Sequence, residues 1–391
     1  MGREPTGTPF ALVGAGAMGC GLIHEALAGR RFAPVAVCDT SPAALARAAE
    51  RIAAASAAGP ILLTTSEEDF LRHTARTAFL LDASSSIDGT ADIITHFLES
   101  RRHVFMMNSE ADLVHGPAWL AKATAHDVLY SSVDGDQHAV IMRLARQVEA
   151  WGLRLVMLGN IKGFLDRRAT PVTILEEARK RDLDPVMCCS YTDGTKLAIE
   201  MALVSNATGA RVVERGMRGP AMADASDVAD HFDFDRLWNG RTPLVDYVLG
   251  ARPNGGVFVV GYTDDPYRRK MLRYYKLGDG PYYVFTRPFH LCHVETLPAI
   301  DEALTTMTPL VAPVCGRQSN VFAFAKRPLR AGDVLDGLGG AMSYGLIDDD
   351  TAANEDLLPI CESAGWRLTR DVPVDAPILR SACSMDAVLA S

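Results

Sequence analysis

The densest run of chemically suggestive residues lies near the start of the chain, where Pro9-Phe-Ala-Leu-Val13 leads into Gly14-Ala15-Gly16-Ala17-Met18-Gly19. An apolar run that ends in Gly-x-Gly-x-x-Gly and opens onto a helix-compatible stretch, Cys20 to Ala28, predicts strand, turn and helix in that order. Each glycine has a task in such a turn. Gly14 permits the tight reversal, Gly16 lets a pyrophosphate approach the backbone, and Gly19 lets the helix pack close to the strand. Ala17 and Met18 lie at the helix N-terminus, where unpaired N–H groups and the positive dipole end favour phosphate. Asp39 follows twenty residues after Gly19, at the end of a second apolar run that begins at Pro34. A carboxylate there can accept hydrogen bonds from both hydroxyls of a ribose and repels a 2′-phosphate, which predicts NAD, with NADP second. Arg47, on the following helical segment, is the cation within reach of such a phosphate.

A turn of this kind needs a parallel sheet behind it, and the next hundred residues have that rhythm. Ala78 to Asp82 and Val104 to Met107 read as further strands; Pro42 to Ala57, with Ser41 as N-cap, and the segments 66–75, 89–100 and 116–125 read as helices. Strands alternating with helices predict an α/β fold with a doubly wound parallel sheet over residues 1–150, a Rossmann domain. From about residue 150 glycine, proline and polar turns become more frequent, and residues 151–324 are expected to form an α+β substrate and dimerisation domain. Residues 256–262 and 281–286 read as its strands, flanking a basic, aromatic stretch from Tyr267 to Lys276 that suits a solvated or interfacial surface. Ala325 to Leu335 has the turn-and-strand pattern of a small β-rich module, expected over 325–391.

Bulk properties narrow the function. The chain has 391 residues, 48% hydrophobic and 22% charged, the balance of a globular protein of two or three domains. A formal net charge of −9 argues against nucleic acid as a partner, because coating phosphates needs a basic face. No apolar run is long enough to span a membrane, and the first nine residues lack the apolar core of a signal peptide, so a cytoplasmic location is expected. The eight cysteines include no Cys-x-x-Cys pair and read as reduced thiols, with Cys188 and Cys189 as small buried hydrophobes.

Four segments, Met106-Met-Asn-Ser-Glu-Ala-Asp112, Val133-Asp-Gly-Asp-Gln137, Lys162-Gly-Phe-Leu165 and Asp193-Gly-Thr-Lys-Leu-Ala-Ile-Glu200, together with Gly280 to Glu295, carry a wider resemblance. In them the chain resembles homoserine dehydrogenase-like oxidoreductases with a C-terminal SAF domain, a group that includes 1-deoxy-D-xylulose 5-phosphate reductoisomerase-like enzymes. The resemblance spans nearly the whole chain and implies a Rossmann domain, a substrate and dimerisation domain, a SAF-like end and a homodimer or homotetramer. Two departures stand out. Homoserine dehydrogenases carry Ala-Asn-Lys after a Rossmann strand, whereas Asn108-Ser109-Glu110 has no lysine, and Asp39 fits poorly with an NADPH-dependent reductoisomerase.

The resemblance also places Lys196 next to the substrate, as the group that exchanges a proton with the reacting oxygen. Asp193, three residues earlier, is expected on the same helical face, orienting the ammonium. Glu110, Lys162 and Glu200 are expected to bind substrate, and Asp134 and Asp136, with Asp112 nearby, offer hard oxygen ligands should a divalent metal be used. His290 and His293 read first as core histidines and second as proton-transfer groups. The function that follows is hydride transfer between a nicotinamide cofactor and the carbonyl or alcohol of a small polar, possibly phosphorylated, metabolite. The alternatives are a reductoisomerase and an NAD-binding sensor without turnover.

Overall fold

The computed structural model describes residues 7–55, 60–181 and 183–385. It divides into two compact units, one of residues 1–140 with 290–314 and the other of residues 141–289 with 315–391. The first unit opens with β1 (Thr8–Val13), α1 (Ala17–Gly29), β2 (Phe32–Cys38), α2 (Pro42–Ala54), β3 (Leu62–Thr64) and α3 (Glu67–His73). It continues with β4 (Phe79–Asp82), α4 (Ala91–Glu99), β5 (His103–Met106), α5 (Ser109–Ala125) and β6 (Tyr130–Ser132). The strands lie in the order β3-β2-β1-β4-β5-β6, every neighbouring pair parallel. That order reverses direction between β1 and β4, the switch point at which doubly wound sheets bind ligands outside the carboxyl ends of their strands.

Side chains alternate across this sheet with period two, and both faces are apolar because helices cover both. Phe10, Leu12, Phe79 and Leu81 pack into one core, and Ala11, Val13 and Leu80 into the other. Phe79 stacks on Phe10 with ring centroids 5.1 Å apart and meets Phe32 and Phe105 edge-on at 5.4 Å. Three of the helices start where short polar side chains satisfy their first amides: Ser41 for α2, Ser66 for α3 and Asn108 for α5. α5 begins seven residues before its expected start at 116. Gly116 and Pro117 mimic a helix boundary but lie inside the helix, which the Asn108 cap fixes by accepting from Ala111 N at 3.0 Å. α2 ends at Ala54, and its expected end, Ala57, lies outside the described residues.

The division between units falls within α6 (Gln137–Ala150). Then come β7 (Arg154–Lys162), α7 (Leu175–Lys180), α8 (Pro185–Thr192), α9 (Thr195–Thr208) and β8 (Arg211–Val212). Single turns α10 (Val228–His231) and α11 (Phe234–Leu237) lead to β9 (Leu244–Leu249), β10 (Val257–Tyr262), α12 (Pro266–Tyr274) and β11 (Tyr282–Arg287). The sheet order is β11-β10-β7-β9-β8, with β7 parallel to β9 and antiparallel to β10, the mixed topology of an α+β layer. The basic, aromatic stretch forms α12, which buries none of its residues. By contrast, α9 is buried from Thr195 to Ala207.

Residues 290–314 rejoin the first unit and carry α13 (Cys292–Thr306), whose Leu297, Ile300 and Ala303 pack into the core of Phe10 and Phe79. β12 (Ser319–Ala325), β13 (Ser343–Asp349), β14 (Arg367–Leu368) and β15 (Cys383–Ser384) complete the second unit with short 3-10 turns between them. The end of the chain is β-rich, as its turn pattern predicts, but its first strand begins at Ser319. Asn206 Oδ1 on α9 accepts from Gln318 N at 2.7 Å and Ser319 N at 3.0 Å, and Thr195 Oγ1 accepts from Gly345 N at 2.8 Å. The two units, each built of two chain stretches, therefore differ from the three successive segments 1–150, 151–324 and 325–391. Local pattern marks where elements begin, whereas the apolar face of α13 and the polar seams of α9 decide which stretches pack together.

Candidate functional site

At the glycine turn the backbone has no room to spare except in one place. Gly14 has φ +93°, and a Cβ there would lie 2.4 Å from the carbonyl oxygen of Ala83 in the loop after β4. A Cβ on Gly19 would lie 2.0 Å from the carbonyl oxygen of Gly14, so helix and turn touch only because that position is bare. A Cβ on Gly16 would meet nothing within 4 Å. Gly16 is also the N-cap of α1, which, unlike α2, α3 and α5, has no side-chain cap. The first-turn amides of α1 at Ala17, Met18 and Gly19 thus form an anion-accepting end beside open space. Asp39 braces the turn: its carboxylate accepts from Ala15 N and from Ser41 N, each at 2.7 Å. That bracing role adds a structural constraint to the ribose role expected from its position.

The loops after β4, β5 and β6 carry more polar side chains. Asn108 Nδ2 donates to Ser84 Oγ at 3.2 Å and to the Ser86 carbonyl at 2.7 Å, tying the loop after β4 to the start of α5. Burial pushes the carboxyl of Asp82, at the end of β4, up to about 6 against hydrogen bonds from Ser84, Thr90 and Asn108. Glu110, buried in the first turn of α5, accepts from Ser109 Oγ at 3.1 Å. Asp112, on the same helix, accepts from Tyr130 OH at 2.6 Å and from Ser132 Oγ, and burial pushes it up to about 6 as well. Asp134 is buried and accepts from Gly135 N at 2.9 Å. Asp136 lies instead with His290 and Cys292, one donor atom of each within 4.8 Å of the others. Asp136, one of the two carboxylates offered as hard oxygen ligands should a metal be used, thus lies beside nitrogen and sulfur donors. His293 faces α1, where a Cβ on Gly21 would lie 2.7 Å from its ring.

In the second unit, Lys162 ends β7 and feels the charges of Glu200 and Asp193, while burial pushes its ammonium below the ordinary lysine range. Lys196 and Glu200 are buried on α9, four residues apart and so on one face. Asp193 does not share that face. α9 starts at Thr195, and Gly194 before it has φ +90°, so the chain turns between Asp193 and the helix. Asp193 and Lys196, expected on one helical face, therefore share no helix. Asp193 caps Thr195 N with Oδ1 at 2.8 Å, and its Oδ2 meets Lys326 Nζ at 2.8 Å. Lys326 is buried, and its other donors reach the carbonyls of Ala169 at 2.6 Å and Gly340 at 2.7 Å, with Cys189 Sγ at 3.3 Å. Three ammonium hydrogens thus meet three oxygens. Sequence reasoning misses Lys326 because a lone lysine after an apolar strand has no local sign of a partner more than a hundred residues away.

A family model described as the catalytic domain of oxidoreductase DRL matches residues 135–296, the stretch that contains Asp136, Lys162, Asp193, Lys196, Glu200, His290 and Cys292. No curated protein matches the chain. Among solved structures, the chain is similar to the WlbA dehydrogenase from Chromobacterium violaceum in complex with NADH and UDP-GlcNAcA, at 15% identity and a TM-score of 0.46 over 81% of this chain and 91% of that one. It is also similar to the UDP-N-acetylglucosamine 3-dehydrogenase GnnA from Acidithiobacillus ferrooxidans, at 13% identity and a TM-score of 0.45 over 80% and 93% of the two chains.

The Lys326 arrangement predicts that Lys326→Met lowers the unfolding free energy by about 3–5 kcal/mol, because it leaves the buried Asp193 carboxyl without its counter-charge and its strongest hydrogen-bond donor. Adding Asp193→Asn should recover part of that loss; urea denaturation of the single and double variants checks both.

Asp112 predicts a dependence on pH. Its folded value of about 6 lies above the ordinary carboxylate value, so the folded protein holds a proton that the unfolded chain releases between roughly pH 4 and 6, and stability falls as pH rises through that window. Asp112→Asn, neutral throughout, should remove on the order of 1–3 kcal/mol of this fall in denaturation curves from pH 4 to 7. Identical slopes for the two proteins would remove the assignment.

Proposed function

We propose that this chain is an oxidoreductase that binds a nicotinamide dinucleotide, NAD in preference to NADP, and acts on a small polar substrate. The observation that carries the reading is the contrast within the glycine turn. Gly14 and Gly19 are bare because protein atoms fill the space, whereas Gly16 is bare beside open space at an uncapped helix N-terminus. A pyrophosphate fits that place, and the order of the parallel sheet puts the place at its switch point. When bound, a nicotinamide supplies hydride chemistry. The oxidoreductase model matched over residues 135–296 supports a catalytic part in the stretch that carries Lys162 and Lys196.

In this reading Lys196 donates to the substrate oxygen and moves its proton, and Lys162 and Glu200 hold the substrate's polar groups. A buried ammonium, Lys196, and a buried carboxylate, Glu200, with half-buried Lys162 near that carboxylate's charge, are expensive to keep, which favours a chemical use over a surface accident. A sensor that only binds nucleotide has no need of them. Asp193 serves as a positioning residue that fixes the start of α9 through Thr195. The homoserine dehydrogenase-like subtype and the SAF identity of the C-terminal strands gain no support from the matched model, and the proposal stands at the level of the oxidoreductase. The β-rich end takes part through Lys326, which anchors Asp193.

Calorimetry with NAD(H) and NADP(H) tests the dinucleotide part. The unmodified protein should bind NAD(H) more tightly, and Gly16→Ala, at an ordinary φ of −68°, should weaken that binding at least tenfold while changing stability by less than about 0.5 kcal/mol. Gly19→Ala should instead destabilise the fold. Undiminished affinity in Gly16→Ala would place the ligand elsewhere.

Turnover tests the catalytic part, by absorbance of the reduced cofactor across small aldehydes, keto acids, polyols and sugar phosphates, with and without divalent metal. Lys196→Met should lose on the order of 10²–10³ in kcat while keeping its dinucleotide affinity, because charge develops on the substrate oxygen in the transition state. A normal kcat would assign the lysine a structural role.

A further inference from the structure

The turn after β6 is seated directly on the backbone that begins α13. Gly135 has φ +94°, and a Cβ there would lie 2.5 Å from the carbonyl oxygen of Cys292 and 2.6 Å from its Cα. Thr296, fully buried one turn into α13, places its hydroxyl between the Cys292 carbonyl at 2.7 Å and the Asp134 carbonyl at 3.1 Å, its one proton shared between them. His290 Nδ1 donates to the Gly135 carbonyl at 3.1 Å, and because a carbonyl only accepts, this bond leaves the ring's lone pair on Nε2. Residues more than 150 positions apart in sequence are thus locked together by backbone packing and two hydrogen bonds. The side chains they present to one another are a carboxylate, an imidazole and a thiol.

We propose that Asp136, His290 and Cys292 form a binding site for one divalent cation of the zinc type. One donor atom from each lies within 4.8 Å of the other two, and with Nδ1 committed to the Gly135 carbonyl the imidazole would ligate through Nε2. Tetrahedral zinc places nitrogen, oxygen and sulfur ligands roughly 3.3–3.8 Å apart, so small side-chain rotations close the set. Magnesium and calcium take oxygen ligands, whereas an O, N, S set selects zinc or its cobalt surrogate. All three residues are half-buried, so an ion can reach them from solvent. Three protein ligands with one open position is the pattern of a zinc site that receives water or a substrate oxygen. His138, buried with its Nδ1 3.9 Å from Asp136 Oδ2, stands where an outer partner would orient the carboxylate. The site belongs to the first unit alone and does not depend on the dinucleotide reading.

The test uses the full chain, stripped with a chelator and titrated with Co²⁺. Saturable uptake of one cobalt per chain, with a sulfur-to-cobalt charge-transfer band in the near ultraviolet, is expected, and Zn²⁺ should abolish the band while excess Mg²⁺ leaves it. Cys292→Ser should lose the band. Asp136→Asn and His290→Gln should each weaken binding by more than about a hundredfold, beyond the 10–100-fold that outer-shell changes cost. Circular dichroism and dinucleotide calorimetry on each variant confirm that the first unit remains folded. Absence of saturable uptake by the unmodified protein, or an unchanged band in Cys292→Ser, would overturn the proposal, whether or not the dinucleotide binds.

Discussion

The approach of the turn after β1 to the backbone after β4 is the constraint on which the first unit depends. With 2.4 Å between a would-be Cβ at Gly14 and the Ala83 carbonyl, and 2.0 Å between one at Gly19 and Gly14, neither position can carry a side chain without moving backbone. Everything at the carboxyl edge of the sheet inherits its place from this contact. α1 starts where Gly19 lets it, Asp39 reaches Ala15 N because the turn is closed, and the open space beside Gly16 exists because its neighbours are packed. Asn108 extends the same logic to the next strand by tying the loop after β4 to α5.

The second unit rests on a different kind of constraint, the satisfaction of buried charge. Lys326 brings three hydrogens into the buried interior and finds Asp193 and two carbonyls there. Such a set adds little net stability over an apolar filling, but it tolerates only one arrangement of its contributors. It fixes the junction between α8 and α9, and with it the register of the helix that carries Lys196 and Glu200.

What was legible in the sequence was what local chemistry writes. The strand, glycine turn and helix were legible because a bare turn and a period-two apolar run have few other uses, and the parallel sheet followed from the alternation. The start of α5 is hard to read because Gly116-Pro117 imitates a boundary, while the Asn108 cap that sets it is a single residue. The place of Asp193 is not legible, because spacing of three implies a shared face only inside a helix, and Gly194 lies between. The return of α13 to the first unit, the partner of Lys326 and the gathering of Asp136 with His290 and Cys292 join residues more than a hundred positions apart. No periodicity records such pairs.

The return of α13 has a consequence for how the chain is made. A ribosome delivers the six strands of the parallel sheet first, yet Leu297, Ile300 and Ala303 complete the core on one face of that sheet only after the whole mixed sheet has been translated. Until then the nascent first unit carries an uncovered apolar strip beside Phe10 and Phe79, and a fragment cut at residue 150 would keep that strip for good. The second sheet is in effect an insertion in the sequence of the first unit, between residues 140 and 290.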